Sequence, residues 1–91
     1  MEFRGGIMEK TYFETLKVRV YKAAMRTNDC ADDKDKNRNH VNYGEATAWT
    51  QVMEDMGHKT DLPVWEDENG CLRIPYVEID GEKYIEFKNG K

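Results

Sequence analysis

Between Leu62 and Phe87, apolar and polar residues alternate in three short runs, LPVWE, CLRIPYVEI and EKYIEF, separated by DENG and DG. Alternation with period two between turn-forming clusters is the mark of half-buried strands. The pattern predicts a three-stranded antiparallel meander. Asp80-Gly81 fits a type I′ turn, which needs positive φ at both central residues. A two-residue loop sets Ile79 opposite Glu82, Val77 opposite Tyr84 and Ile74 opposite Phe87. Leu72, Ile74, Tyr76, Ile85 and Phe87 then share the core face, and Glu78 and Lys83 extend it as a charge pair. For the first turn, a three-residue loop Glu68-Asn69-Gly70, with Gly70 left-handed, sets Trp65 across from Arg73 and turns Leu62 and Val64 inward. A four-residue loop would instead put Trp65 inside against Leu72.

On the first register, the outer face carries Trp65, Arg73, Val77, Ile79 and Tyr84, rimmed by Glu82, Glu86 and Lys88. A contiguous apolar and aromatic patch with a charged rim is the usual form of a contact site. Two features stand against it. A helix or the N-terminal arm could cover this face, and a bulge at Pro75 would swap the facing of Val77 and Ile79.

Upstream the period changes to that of a helix. In Glu9–Arg26, Phe13, Leu16, Val20, Ala23 and Ala24 recur at helical spacing, with Tyr12 at the edge, Thr11 as N-cap and Glu14 at the capping-box position. Val18, Tyr21 and Met25 lie away from that stripe, where they could touch the long loop or a partner. A second helix is expected over Asn42–Met56, capped by Asn42, closed by Gly57 and apolar along Trp49, Val52, Met53 and Met56, with Ala46 at the margin. The stretch Thr27–Val41, TNDCADDKDKNRNHV, shows no apolar period and is expected to be a long polar loop. The predicted architecture is α+β, ordered α-α-β-β-β, with both helices on one face of the sheet. Residues 1–8 are read as a flexible extension, with Met8 as an alternative start, 9–88 as one domain and 89–91 as a polar tail.

The formal net charge of −4 is unevenly spread. Residues 1–26 hold six Lys/Arg and three Asp/Glu, whereas 61–91 hold four and eight. Arg19, Lys22 and Arg26 line one flank of the first helix and could meet phosphates. The acidic hairpins would repel a duplex, and a long connection is foreign to helix–turn–helix units. No run of apolar residues is long enough to span a membrane and no secretory leader is visible. Two dissimilar cysteines, Cys30 and Cys71, suit a reducing cytoplasm.

Candidate chemistry is thin. Asp33-Lys34-Asp35-Lys36-Asn37 opens like a calcium loop, but Arg38 stands where Gly is needed and Gly44 where Glu is needed. Cys30 and His40 could pair for nucleophilic catalysis, yet nothing flanking them activates a thiol. The spacing of Cys30, His40, His58 and Cys71 lacks the close ligand pairs of a structural zinc site. The expectation is therefore a non-catalytic cytoplasmic protein-binding module without cofactor or metal. Trp65, Val77, Ile79 and Tyr84 would anchor it, and Glu66, Glu68, Glu82 and Glu86 would steer a basic partner. An inhibitor from a phage or mobile element, of anti-defence type and aimed at a nucleic-acid-handling enzyme, is its sharpest form. The alternatives are a nucleic-acid-binding regulator using Arg19, Lys22 and Arg26, and a homodimer joined through an open strand edge.

Overall fold

In the polar stretch expected to be a loop, two helices meet at a three-residue turn. The computed structural model describes residues 2–84, with side chains from Thr11 onward. Helix α1 runs Glu2–Asp32 and helix α2 runs Lys36–Asp55. Thr11 therefore lies inside α1 rather than capping it. The helix closes in a Schellman turn, with Asp35 N–H donating to Cys30 O at 2.9 Å and Lys34 N–H to Ala31 O at 3.0 Å. Lys34 takes the left-handed position at φ 60° without a glycine. Asp35, not Asn42, caps α2, its Oδ1 accepting from Arg38 N–H at 3.2 Å. Gly57 ends α2 as expected, at φ 99°, with His58 N–H donating to Met53 O and Gly57 N–H to Glu54 O.

The helices lie antiparallel against each other through small residues. Ala23, Ala24, Thr27 and Ala31 of α1, and Asn39, Ala46 and Thr50 of α2, are all buried. Small side chains let two backbones approach closely, and a three-residue turn suffices to reverse the chain. Cross-links run along the seam. The Arg19 guanidinium stacks over Trp49 at 4.8 Å, and Arg26 donates to Asn42 and Glu45.

After α2 come five short strands: β1 Thr60–Asp61, β2 Trp65–Glu66, β3 Leu72–Arg73, β4 Val77–Ile79 and β5 Glu82–Tyr84. They form two sheets, one ordered β1-β4-β5 and one of β2 with β3, rather than a single three-stranded meander. Both turns have the expected geometry. Asp80 and Gly81 sit at φ 51° and 90°, Gly70 at 79°, and the pairs Ile79–Glu82, Val77–Tyr84 and Trp65–Arg73 are those expected.

Between the two sheets the register slips. Continuing the β2–β3 pairing would set Leu62 opposite Tyr76 and Thr60 opposite Glu78, but Thr60 pairs with Ile79. One extra residue is taken up over Ile74-Pro75-Tyr76, where proline has no N–H to give a ladder. The slip swaps facing beyond it. Val77 and Ile79, expected outside, are 1% and 3% exposed. They join Leu16, Val20, Ala24, Met53 and Ile74 in one core. Glu78 and Lys83 go to the outer face, where Lys83 Nζ lies 4.6 Å from the centre of the Tyr76 ring. Val64, expected inside, is exposed, whereas Leu62 packs on the core.

Strand β3 is held to the helices by two asparagines. Asn39, fully buried, donates to Leu72 O at 2.8 Å and to Thr27 O at 2.7 Å, and accepts from Leu72 N–H at 2.6 Å. Asn28 donates to Ile74 O at 2.9 Å and accepts from Ile74 N–H at 2.8 Å. Each side-chain amide copies the donor–acceptor pair of a neighbouring strand, so β3 has β2 on one edge and two helix side chains on the other. The β2–β3 turn is fixed further by Asp67, which accepts from Asn69 N–H, Cys71 N–H and Arg73 Nε. Arg73 also donates to Asp32 of α1 at 2.8 Å.

A candidate contact groove

The slip that buries Val77 and Ile79 also builds a groove. Glu82 and Tyr84 share a face with Ile79 and Val77, so β5 carries Tyr84 toward α1. Its ring meets Tyr21 edge-on at 5.9 Å. On α1, Glu14, Lys17, Val18 and Tyr21 stand three, four and seven residues apart, which places them on one side of the helix. Between this side and the inner face of β4 and β5 lies an open, mainly apolar cavity of about 330 Å³. Val18 stands beside it, 49% exposed.

Its polar groups are few. Lys17 Nζ lies 3.4 Å from Glu14 and 5.1 Å from the centre of the Phe13 ring. Burial opposes the Lys17 charge but is outweighed by Tyr84 and Glu14, which raise its pKa above the ordinary 10.5. The Tyr84 hydroxyl donates to Glu82 at 2.9 Å. Burial first, then that carboxylate, pushes its pKa above 10, so it remains a donor at neutral pH. The groove thus presents an ammonium, a carboxylate and a phenol at the border of an apolar floor.

The expected anchors are divided. Val77, Ile79 and Tyr84 come together, but as the floor and wall of the groove. Trp65 stands apart on the β2–β3 hairpin, 54% exposed, with Glu66 and Glu68 exposed beside it. Glu82 is exposed at the start of β5, and Glu86 lies outside the described residues. Of the basic row, Arg19 and Arg26 are engaged by α2, and Lys22 is exposed. Val18 and Tyr21 were legible as apolar residues off the core stripe. Lys17 gave no sequence signal, because its place depends on where β5 docks.

The candidate chemical groups are used structurally. His40 Nε2 bonds Gly70 O at 3.0 Å, while the Cys30 sulfur accepts from Asn42. Burial, then Asp35, raises the Cys30 pKa, which disfavours thiolate. His58 stacks on Phe13 at 4.0 Å and bonds Asp80 at 2.8 Å. Both cysteines are free. Among the described residues no three His, Cys, Asp or Glu are placed to hold a metal, and no helix is long and apolar enough to cross a membrane.

Asp80 ties the β4–β5 turn to the end of α2. Its carboxylate accepts from Lys59 N–H at 3.0 Å and from His58, and these bonds, the backbone one first, hold its pKa below the ordinary 3.8. A carboxylate with a depressed folded pKa adds stability that is fully present above its unfolded pKa and lost as pH falls through the folded one. Asp80→Asn keeps the turn chemistry and removes the charge. The gap in thermal midpoint between wild type and Asp80→Asn is expected to be steady at neutral pH and to narrow below about pH 3.8. A gap unchanged down to pH 2 would show that the carboxylate bonds carry no stability.

No protein-family model matches the sequence, and neither the curated proteins nor the solved structures contain a significant match to it.

Proposed function

We propose that this chain is a small, non-catalytic protein-binding module and that the groove between α1 and the β4–β5 hairpin is its contact site. The observation that carries the reading is a mainly apolar groove of about 330 Å³ bordered by two tyrosines and by a half-exposed valine. Concave apolar sites with a few polar groups are where ligands and anchor side chains seat, and aromatic borders concentrate contact energy. This volume is at the small end for a ligand site, about the room needed by one or two side chains.

Val18→Glu tests the site, because a charge there meets the groove without entering the core. Capture of the partner from lysate is expected to fall at least tenfold, with a thermal midpoint within about 3 °C of wild type, since surface substitutions change stability little. Equal capture by both forms would remove the groove from the function.

A second reading rests on Trp65, an exposed indole beside Glu66 and Glu68, which would suit a cationic side chain of a basic partner. The inhibitor role belongs to this reading. Under it, Trp65→Ala loses the partner and Val18→Glu keeps it. The nucleic-acid alternative is weakened because Trp49 and Glu45 already occupy Arg19 and Arg26.

A further inference from the structure

The groove runs beside a strand edge whose backbone groups can be assigned. Asp80 N–H donates to Lys59 O at 2.8 Å, so Asp80 and Glu78, two residues apart, turn their polar groups toward β1. Val77 and Ile79 alternate with them and bond Tyr84 and Glu82 of β5. Lys83 then turns its N–H and C=O away from β4, on the last strand among the described residues in the order β1-β4-β5. An unpaired N–H and C=O on an exposed edge is a template for another strand. Val18, Tyr21 and Tyr84 line the groove on the inner side of this sheet.

We propose that an extended segment of another protein adds to this edge as a fourth strand, antiparallel to β5, with its inward side chains seated in the groove. This rests on the groove being the contact site and goes further, naming the partner's conformation and pattern. Residues on either side of the one opposite Lys83 point inward and must be apolar. On the outer face, Asp61, Glu78 and Lys83 form a row in which each is paired with the next, two acids followed by a base. The next position in that row, opposite Lys83, favours an acidic residue. The segment therefore reads apolar–acidic–apolar. A second copy of this chain fits poorly, because twofold pairing centred on Lys83 would oppose two lysines.

The test uses the full chain and a capped peptide, threonine-valine-glutamate-valine-threonine, followed by amide NMR. Lys83→Pro removes the outward N–H and the side-chain charge but no bond to β4, Lys83→Arg keeps both, and N-methylation of the peptide glutamate removes a backbone hydrogen bond alone. The peptide is expected to shift the Lys83 amide and to bind wild type and Lys83→Arg alike. Binding of a peptide N-methylated at its glutamate is expected to be about tenfold weaker, the loss of one hydrogen bond, and binding to Lys83→Pro at least tenfold weaker, since the facing charge is lost too. Thermal midpoints check that each variant is folded. Equal binding of the N-methylated peptide would overturn strand addition while leaving side-chain contact in the groove. No binding of the peptide to wild type, with capture still sensitive to Val18→Glu, would do the same. A dimer dissolved by Lys83→Pro would overturn the proposal by seating a second copy on the edge.

Discussion

Asn39→Ala is expected to lower the thermal midpoint by roughly 12–24 °C, the equivalent of about 3 kcal/mol for a domain of this size. The substitution leaves Leu72 N–H and Leu72 O without their partner and removes a bond to Thr27 O, and Asn39 itself is fully buried. An unsatisfied buried polar group costs about 1–3 kcal/mol, against a total stability of about 5–15 kcal/mol. The amide orientation is fixed by its neighbours, since the reverse would point Oδ1 at two carbonyl oxygens. Asn39→Asp keeps the acceptor for Leu72 N–H but loses both donor bonds and buries charge, so it should not rescue. Thermal unfolding followed by circular dichroism decides. A midpoint within about 3 °C of wild type would mean that β3 is not held by this amide.

Val77→Glu is expected to unfold the domain at 25 °C, whereas Glu78→Val leaves it folded. Val77 is 1% exposed among core residues of both helices, and an unpartnered carboxylate there costs several kcal/mol. Glu78 is on the other face, opposite Lys83 of β5, where a substitution changes stability little. An unslipped strand through Pro75 would place Val77 on the outer face, and Val77→Glu would then stay folded. Amide dispersion in a proton–nitrogen spectrum separates the outcomes directly. A folded Val77→Glu would restore the aromatic platform of Trp65, Val77, Ile79 and Tyr84.

What could be read from the chain was whatever a local rule governs. Asp80-Gly81 specifies its turn because both residues adopt positive φ, and the register follows by counting. Gly57 marks a helix end for the same reason. The α1–α2 turn escaped because Lys34 fills the left-handed position where glycine is customary. The buried positions there are Thr27 and Ala31 on α1 and Asn39 on α2, two polar residues and one small one, which give little hydrophobic signal. They are small or polar because the helices approach closely there and one of them holds a strand. The groove was half legible. Tyr84 and Val77 were identified as neighbours, but the extra residue at Ile74-Pro75-Tyr76 decides which way they look, and proline signals only that a ladder breaks. Lys17 and the asparagine clamp are products of tertiary placement, which no spacing within one element records.

The two asparagines have a consequence for how this molecule stays apart from its own copies. A bare margin on β3 would recruit stray chains and seed aggregates, as unprotected strand flanks do. Asn28 and Asn39 stopper it by spending its N–H and C=O groups internally. Stickiness is removed where the hairpin meets the helices, and the polypeptide can carry an unsealed flank elsewhere without becoming generally adhesive.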